Sequence, residues 1–503
     1  MLDLKIVSLQ IALFGSFVLC LGWMIQIAYA ACHTSLRYIP GPWLARLTSS
    51  WRLSLVLRGK AHERYRKLHE KYGPIVRTAP NVVDISDPAA ISVVYGINSK
   101  FLKSLFYRPF DMMDEGEFVH SMFTCRSPEE HKTLKRPVAQ KFSMTSIRTL
   151  EYLVDPCSEI FTDAMKDLQG QVVDLGVWVQ WYAFDAIAAM TFGQRFGFME
   201  QRKDVENMIS GLETGLMCAA VTGQIPWLHP LFLGNKAVRN LMCKLSINDP
   251  MQTANRMVRE AIRKYDASDN GNDRRDFLAY FRQQQKSTGE PMAQKELMNH
   301  LMNNLLAGSD TTAISLRAVF YYVIRDEQVY RKLQAEINEF QAAGKLSPVI
   351  SYGESLQMKY LQACMKEAMR MHPGVSYPLE RLVPVGGTRL VGHFLSEGTI
   401  VGMNPAVIHR DSKIFGGDAD EFRPERWLDE DEKVKNMDRH LLTFGAGVRT
   451  CIGKSISLME MSKLIPQFLR KFELEWASAE PEWDIRTYWF SKQTGLLVRV
   501  KER

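Results

Sequence analysis

The ten residues FGAGVRTCIG, 444–453, set one cysteine in a glycine-bracketed loop directly before ISLMEMSKLIPQFL, whose apolar positions recur at helical spacing. Gly445 and Gly447 permit backbone shapes closed to other residues and let a flat ligand lie against the chain. Gly453 opens the run, so Cys451 stands at a helix amino terminus, where unpaired N–H groups and the positive end of the dipole favour thiolate over thiol. Any fold of this chain has to bring that sulfur to a partner that wants an anion.

The other seven cysteines, Cys20, Cys32, Cys125, Cys157, Cys218, Cys243 and Cys364, form no CxxC pair, zinc knuckle or disulfide framework. They read as inert thiols of a reducing compartment. A length of 503 residues fits one large domain or two closely joined ones, and 46% apolar with 24% charged residues is the composition of a folded protein. The net charge of +7 is spread along the chain, which excludes the dense basic stripe of a nucleic-acid binder. It suits an anionic membrane surface or an acidic partner equally well.

From Ile6 to Ala31 the chain is apolar and long enough to cross a hydrocarbon core, which predicts a single transmembrane helix. A cleaved signal peptide is the alternative, supported by Ala28-Tyr29-Ala30. The length of the run opposes it, and so do Arg37 and Arg46 after the segment against Lys5 before it, which favour a cytoplasmic body. The division expected is an anchor at 1–36, an entry segment at 37–60 stiffened by Pro40-Gly41-Pro42, and a globular body at 61–503.

In the body, 60–73 reads as a helix ending at Gly73-Pro74, and IVRT with VVDIS as paired strands around Ala79-Pro80-Asn81. Helical stretches follow at 128–167, 174–192, 203–220, 235–266, 275–285, 291–325, 327–340 and 353–371, with strand-like pieces at 389–401 and 485–500. The fold class expected is mainly α with a small β region built from residues far apart in sequence.

Two further motifs carry chemistry. Glu367 and Arg370, in KEAMR, share one helix face and can pair, though an exposed pair adds only about 0–1 kcal/mol. AGSDTT, at 307–312, puts a glycine and two threonines inside the longest helical run, where Gly costs about 1 kcal/mol relative to Ala and Thr hydroxyls bond back to carbonyls. A local rule broken in mid-helix is where function is expected.

Together these motifs resemble the cytochrome P450 monooxygenases, whose FxxGxRxCxG signature is filled at every fixed position. The resemblance implies the P450 fold behind a single N-terminal transmembrane helix, with 61–503 a haem-thiolate monooxygenase domain. It makes Cys451 the axial ligand of haem b iron, pairs Arg449 with a propionate and packs Phe444 beside the sulfur. It gathers Glu367, Arg370 and Arg426 (in FRPERW) into a buried structural triad. Asp310 and Thr311 become the acid and alcohol that deliver protons during dioxygen activation, while Gly308 makes room for the oxygen. Arg381, in YPLER, reaches the other propionate. His131 and Lys135 stand where many members have Trp and Arg, a departure that weakens that contact because Lys lacks the planar fork. The substrate pocket implied draws on Phe106, Phe110, Met112, Met113, Met217, Tyr377 and Phe490.

GVSYPLERLVP and IVGMNPAVIHRD narrow the likeness to membrane-bound fungal members of the pisatin demethylase-like type, often enzymes of secondary metabolism or detoxification. The implied reaction uses O2 to hydroxylate, epoxidise or dealkylate a hydrophobic small molecule. No dinucleotide fingerprint occurs, so electrons from NADPH are expected through a separate membrane-bound cytochrome P450 reductase, with cytochrome b5 as a further partner. Lys132, Lys135, Arg136, Lys141 and Lys454 form the expected docking face. The location implied is the endoplasmic reticulum membrane, with the catalytic domain facing the cytosol. An isomerase or dehydratase needing no reductase, and a non-catalytic haem binder, are the alternatives; intact Asp310 and Thr311 argue against both.

Overall fold

The segment LGVWVQWYAFDAIAAMTF has almost no polar face, so it can be stable only when surrounded. In the computed structural model, which describes residues 14–18, 20–25, 29, 35–114, 117–231, 235, 238, 250–267, 274–285 and 289–503, it is the nearly wholly buried helix Leu175–Phe192. Asp174 caps its start by accepting from Val177 N–H, and left-handed Gly193 ends it. Against it runs the longest described helix, Gln294–Arg325. A Cβ on Gly308 would stand 2.9 Å from Ile187 Cγ1. The missing side chain of Gly308 therefore lets two helices approach, a packing role that stands beside the expected one of making room for oxygen.

The helix after the cysteine loop, Lys454–Lys471, packs on the same pair, and Ser457 Oγ lies 2.7 Å from Thr312 Oγ1. Beside this helical core lies a five-stranded sheet in the order Ile75–Ala79, Val82–Ile85, Ile400–Gly402, Arg381–Leu382, Leu102–Lys103. Its last pairing sets Lys103 opposite Arg381. A second sheet joins Phe472–Trp476, Leu497–Glu502 and Val172–Asp174.

The mainly α reading holds, with several divisions the periodicity hides. The stretch 128–167 is Pro128–Lys135, a tighter turn at Ala139–Phe142, Met144–Arg148 and Glu151–Asp167, because Pro137 cannot continue a helix and Ser127 and Ser143 cap new starts. Likewise 353–371 splits into Tyr352–Ser355 and Lys359–Met371, the second begun by Glu336 accepting from the N–H groups of Tyr360 and Leu361. The expected 203–220 helix runs Met208–Thr222 after a left-handed turn at Glu206 and Asn207. The entry segment at 37–60 is folded: helices Trp43–Leu47 and Ser50–Leu57 pack on the sheet, and Arg77 N–H donates to Pro40 O at 2.7 Å. Most of the Ile6–Ala31 run and most of 235–249 lie outside the described residues. Among the described residues no helix is long and apolar enough to cross a membrane.

Glu367 sits in Lys359–Met371 with 0% side-chain exposure, as does Arg370. Its two oxygens accept from Arg370 Nε and Nη2, both at 2.8 Å, from Arg426 Nε at 2.8 Å and from Trp427 Nε1 at 2.8 Å. Burial pushes this carboxyl's pKa up, but Arg370 and Arg426 outweigh it and hold the group below its ordinary value. The sequence-level worth of a surface pair therefore does not apply. Removing one partner of a buried pair costs about 3–5 kcal/mol, so Arg370→Ala is expected to lower the urea midpoint of unfolding by that equivalent. Because Glu367 is depressed, its contribution is present at neutral pH and fades as pH falls through its folded pKa. A wild-type midpoint in the variant, or a contribution that grows toward acid, would contradict this account.

Candidate active site

The cysteine loop is shaped by its two glycines. Gly445 and Gly447 have φ of +70° and +63°. A Cβ on Gly447 would lie 1.9 Å from Tyr95 O, whereas on Gly445 it would meet nothing closer than 3.7 Å. Cys451 N–H closes the loop onto Phe444 O at 2.8 Å, and Thr450 Oγ1 donates to Gly447 O at 2.8 Å. The sulfur lies at the amino end of Lys454–Lys471 and receives the N–H groups of Gly453 and Lys454. Burial nevertheless dominates, and the free thiol's pKa is raised. The helix end alone thus gives the wrong sign for the thiol; a bound metal ion supplies what the two N–H groups do not.

The Cys451 side chain opens into an internal cavity of about 290 Å³. The long helix contributes Ala307, Gly308 and Thr311 to its lining, and Phe444 lines it beside the cysteine. Thr311 Oγ1 donates back to Ala307 O at 2.7 Å, as mid-helix threonines do. Asp310 is not among the lining residues: it is buried against Leu175–Phe192, where Oδ1 accepts from Gln180 Nε2 at 2.9 Å, and Gln180 Oε1 accepts from Arg317 Nη2 at 2.6 Å. Burial raises its pKa, with Arg317 opposing. Of the two residues paired by the motif, one lines the cavity and the other is held behind it.

Lys103, His131, Lys135, Arg381 and Arg449 all line this cavity, and no Asp or Glu does among the described residues. The nearest carboxylate in sequence, Glu380, is occupied by Arg52 and by Ser104 Oγ at 2.6 Å. Arg449 donates to the carbonyls of Cys125, Arg126 and Ser127 at 3.0, 3.3 and 3.3 Å. Arg381 donates to Glu380 O at 2.8 Å, and Lys135 reaches Val448 O at 3.4 Å. Burial, then Arg449, Lys135 and Lys103, push His131 down to about 4. Lys103, which the sequence reading missed, is buried, donates to Phe123 O, and is pushed well down by burial and then by Arg381 and Arg449. Nothing local marks it; only its strand pairing with Arg381 brings it here. A cavity ending in a free thiol and edged by cations without counter-charge fits a flat metal-bearing dianion, which is what haem with its two propionates is.

His409 was also missed. Its Nδ1 donates to Arg370 O at 3.1 Å while its Nε2 accepts from Leu442 N–H at 2.7 Å, so the neutral ring ties the Glu367 cluster to the cysteine loop; burial and then Arg370 hold its pKa down at about 3. Of the expected pocket residues, Phe490 lines the cavity, together with Tyr107, Phe123 and Trp489. Phe106, Phe110 and Tyr377 pack behind that wall instead: Phe106 stacks on Tyr377 at 5.8 Å, and Tyr377 OH donates to Gln224 Oε1 at 2.7 Å. Met112 and Met217 are not among the lining residues, and the side chain of Met113 lies outside the described residues. Lys141 is buried and bonded to Arg275 O, so it leaves the expected docking face, whereas Lys132, Arg136 and Lys454 are exposed.

The loop geometry separates its two glycines. Gly445→Ala is expected to cost about 1–2 kcal/mol for the left-handed backbone alone, while Gly447→Ala must also displace the Tyr95 carbonyl and is expected to lose most of the folded protein. Thermal melts of the two variants side by side check this, and equal melting points would refute the assignment.

Comparison with known proteins agrees with the geometry. The sequence matches the family description "Cytochrome P450" over residues 40–499. It is 35% identical to the cytochrome P450 monooxygenase cicH of Emericella nidulans across 96% of this chain and 97% of that one. It is 34% identical to the cytochrome P450 monooxygenase gsfF of Penicillium aethiopicum across 98% and 97%, and 35% identical to a cytochrome P450 monooxygenase of Aspergillus terreus across 90% and 93%. A cysteine at the floor of a cation-edged cavity, seen with matches that run nearly end to end, has one reading: the chain belongs to the cytochrome P450 family.

Proposed function

We propose that this cytochrome P450 is a haem-thiolate monooxygenase of fungal secondary metabolism that hydroxylates, epoxidises or dealkylates a hydrophobic small molecule. The observation that carries the reading is the Cys451 sulfur opening into a cavity that Thr311 also lines and that has no Asp or Glu in its lining among the described residues. Haem, when bound, supplies dioxygen activation and transfer of one oxygen atom. Cys451 holds the iron as thiolate, its charge shared with the N–H groups of Gly453 and Lys454. Arg381, Arg449 and Lys103, with His131 and Lys135, hold the propionates. Thr311 presents a hydroxyl proton at Oγ1 once it leaves Ala307 O. Asp310, its pKa raised by burial with Arg317 opposing, passes protons from behind that position when its carboxyl turns away from Gln180.

Electrons come from NADPH through a separate flavoprotein reductase, with cytochrome b5 as a second donor, docking at Lys132, Arg136 and Lys454. Residues 1–36 anchor the enzyme in the endoplasmic reticulum membrane, with residues 61–503 as the catalytic domain in the cytosol. The apolar Ile6–Ala31 run and the exposed Tyr38, Trp43 and Leu44 beside it support that placement.

Two experiments test these assignments. The reduced protein with carbon monoxide is expected to show the strongly red-shifted Soret band of thiolate-ligated haem, lost in Cys451→Ala; its absence from haem-loaded wild type ends the monooxygenase reading. Alkaline carbonate extraction is expected to leave the full chain in the membrane pellet and to release a chain lacking residues 1–36. Release of both would remove the anchor.

A further inference from the structure

The short polar helix Pro128–Lys135 lays His131 and Lys135, one turn apart, along the cavity. The His131 ring is half-buried, and neither of its nitrogens makes a hydrogen bond among the described residues. His69, His372 and His409, by contrast, each give a ring N–H to a backbone carbonyl, at 2.8, 2.7 and 3.1 Å. The charged groups that face the His131 ring come from three elements: Arg449 on the cysteine loop, Lys103 on the strand Leu102–Lys103, and Lys135 on its own helix. Arg381 stands opposite Lys103 in the strand pairing. Cys125, whose Sγ lies 3.4 Å from Arg449 Nη1, is kept a neutral thiol by burial. The acids nearest in sequence are engaged elsewhere, Glu129 with Ser127 Oγ at 2.8 Å and Glu130 with His120 Nδ1 at 3.0 Å.

An imidazole so placed has a charge decided by the anions beside it. In the protein alone, burial and then Arg449, Lys135 and Lys103 keep the ring neutral, down at about 4. Two propionates among the same cations reverse the local sign, because a neighbouring anion favours the protonated ring. Lysine and arginine, whose ordinary pKa values lie above about 10, keep their charge beside an anion throughout the neutral range. Histidine starts from about 6.5, so it is the member of this cluster that titrates there. Tryptophan, which many family members carry at this position, donates an N–H and has no proton to exchange. Reduction of the bound iron then adds one negative charge to the group that these cations enclose, which favours an imidazolium at His131 further.

We propose that His131 couples reduction of the haem to uptake of a proton, so that a side chain on the propionate edge makes the reduction potential of this enzyme depend on pH. One electron from the flavoprotein donor reduces the iron, and up to one proton from water binds the His131 ring; re-oxidation releases both. Because the reduced state holds the proton more tightly, the potential falls with rising pH between the ring's two pKa values and is level outside them. Acidification therefore makes the enzyme easier to reduce. The proposal rests on the haem-thiolate reading.

The test is a spectroelectrochemical titration of the haem-loaded full chain in detergent, with the midpoint potential read from the Soret band between about pH 5 and about pH 8. Wild type is expected to favour the reduced state about threefold more at the acid end, equal to about 30 mV at about 59 mV per tenfold for one electron. His131→Trp keeps an N–H donor and loses the titration, so its profile is expected to be level. Titration of the propionates themselves would survive that substitution. Lys135→Gln removes one cation that opposes a charged ring, and is expected to carry the falling limb to higher pH without abolishing it. If His131→Trp does not load haem, the displacement in Lys135→Gln decides. A sloping profile in His131→Trp, or a limb that stays in place or moves toward acid in Lys135→Gln, overturns the proposal. Wild type lacking the carbon monoxide band would end the haem-thiolate reading and this proposal with it, whereas a level profile in protein that shows the band ends the proposal alone.

Discussion

One buried carboxylate fixes the position of the reactive sulfur. Glu367 accepts from Arg370, Arg426 and Trp427 at once, and Arg370 donates onward to the carbonyls of His409 and Ala419, both at 2.7 Å. His409 then bridges Arg370 O to Leu442 N–H, and Leu442 O accepts from Gly445 N–H at 2.9 Å. Gly445 belongs to the loop that Cys451 closes. The cysteine is thus held by an unbroken series of charged and neutral hydrogen bonds running from a helix that never touches it. Buried networks of this kind rigidify when every member is satisfied and fail together when one is not.

The same economy explains the opposite edge of the cavity. Five basic side chains share one lining without an acid among the described residues, and burial first, then their mutual repulsion, depresses the pKa values of His131 and Lys103. Such crowding is unfavourable unless an anion compensates it. Haem binding and correct packing of this edge are therefore linked: a ligand that binds only the folded state stabilises it, and here the folded state carries an electrostatic cost that the ligand removes.

What the sequence displays and what it hides divide along physical lines. The cysteine loop was readable because its glycines, arginine and cysteine fall within ten residues, and positive φ at Gly445 and Gly447, with close backbone approach at Gly447, demands glycine there. Glu367 and Arg370 were readable as a pair because three residues is one helical turn. Their burial was legible only through the family resemblance, which gave a buried triad with Arg426, since nothing local distinguishes a surface pair from one enclosed by Arg426 and Trp427. Lys103 and His409 were invisible for the same reason, as their roles come from strand pairing and from a bridge between distant segments. Asp310 shows the converse: adjacent to Thr311 in a motif, it lies behind the cavity wall because consecutive helical residues point about 100° apart.

The long helix shows how one element can serve structure and chemistry without conflict. Gly308 yields its side chain so that Ile187 can approach, and Thr312 uses its hydroxyl on Ser457, tying the helix to the one that follows the cysteine. Asp310 and Arg317 face Leu175–Phe192 through Gln180. With those faces committed to packing, the stripe from His300 to Thr311 is free to line the cavity. The rigidity of the neighbouring faces keeps that stripe at a fixed distance from the sulfur. A site that must choose which atom of a molecule is oxidised needs fixed walls, and a single helix clamped on its other faces provides one.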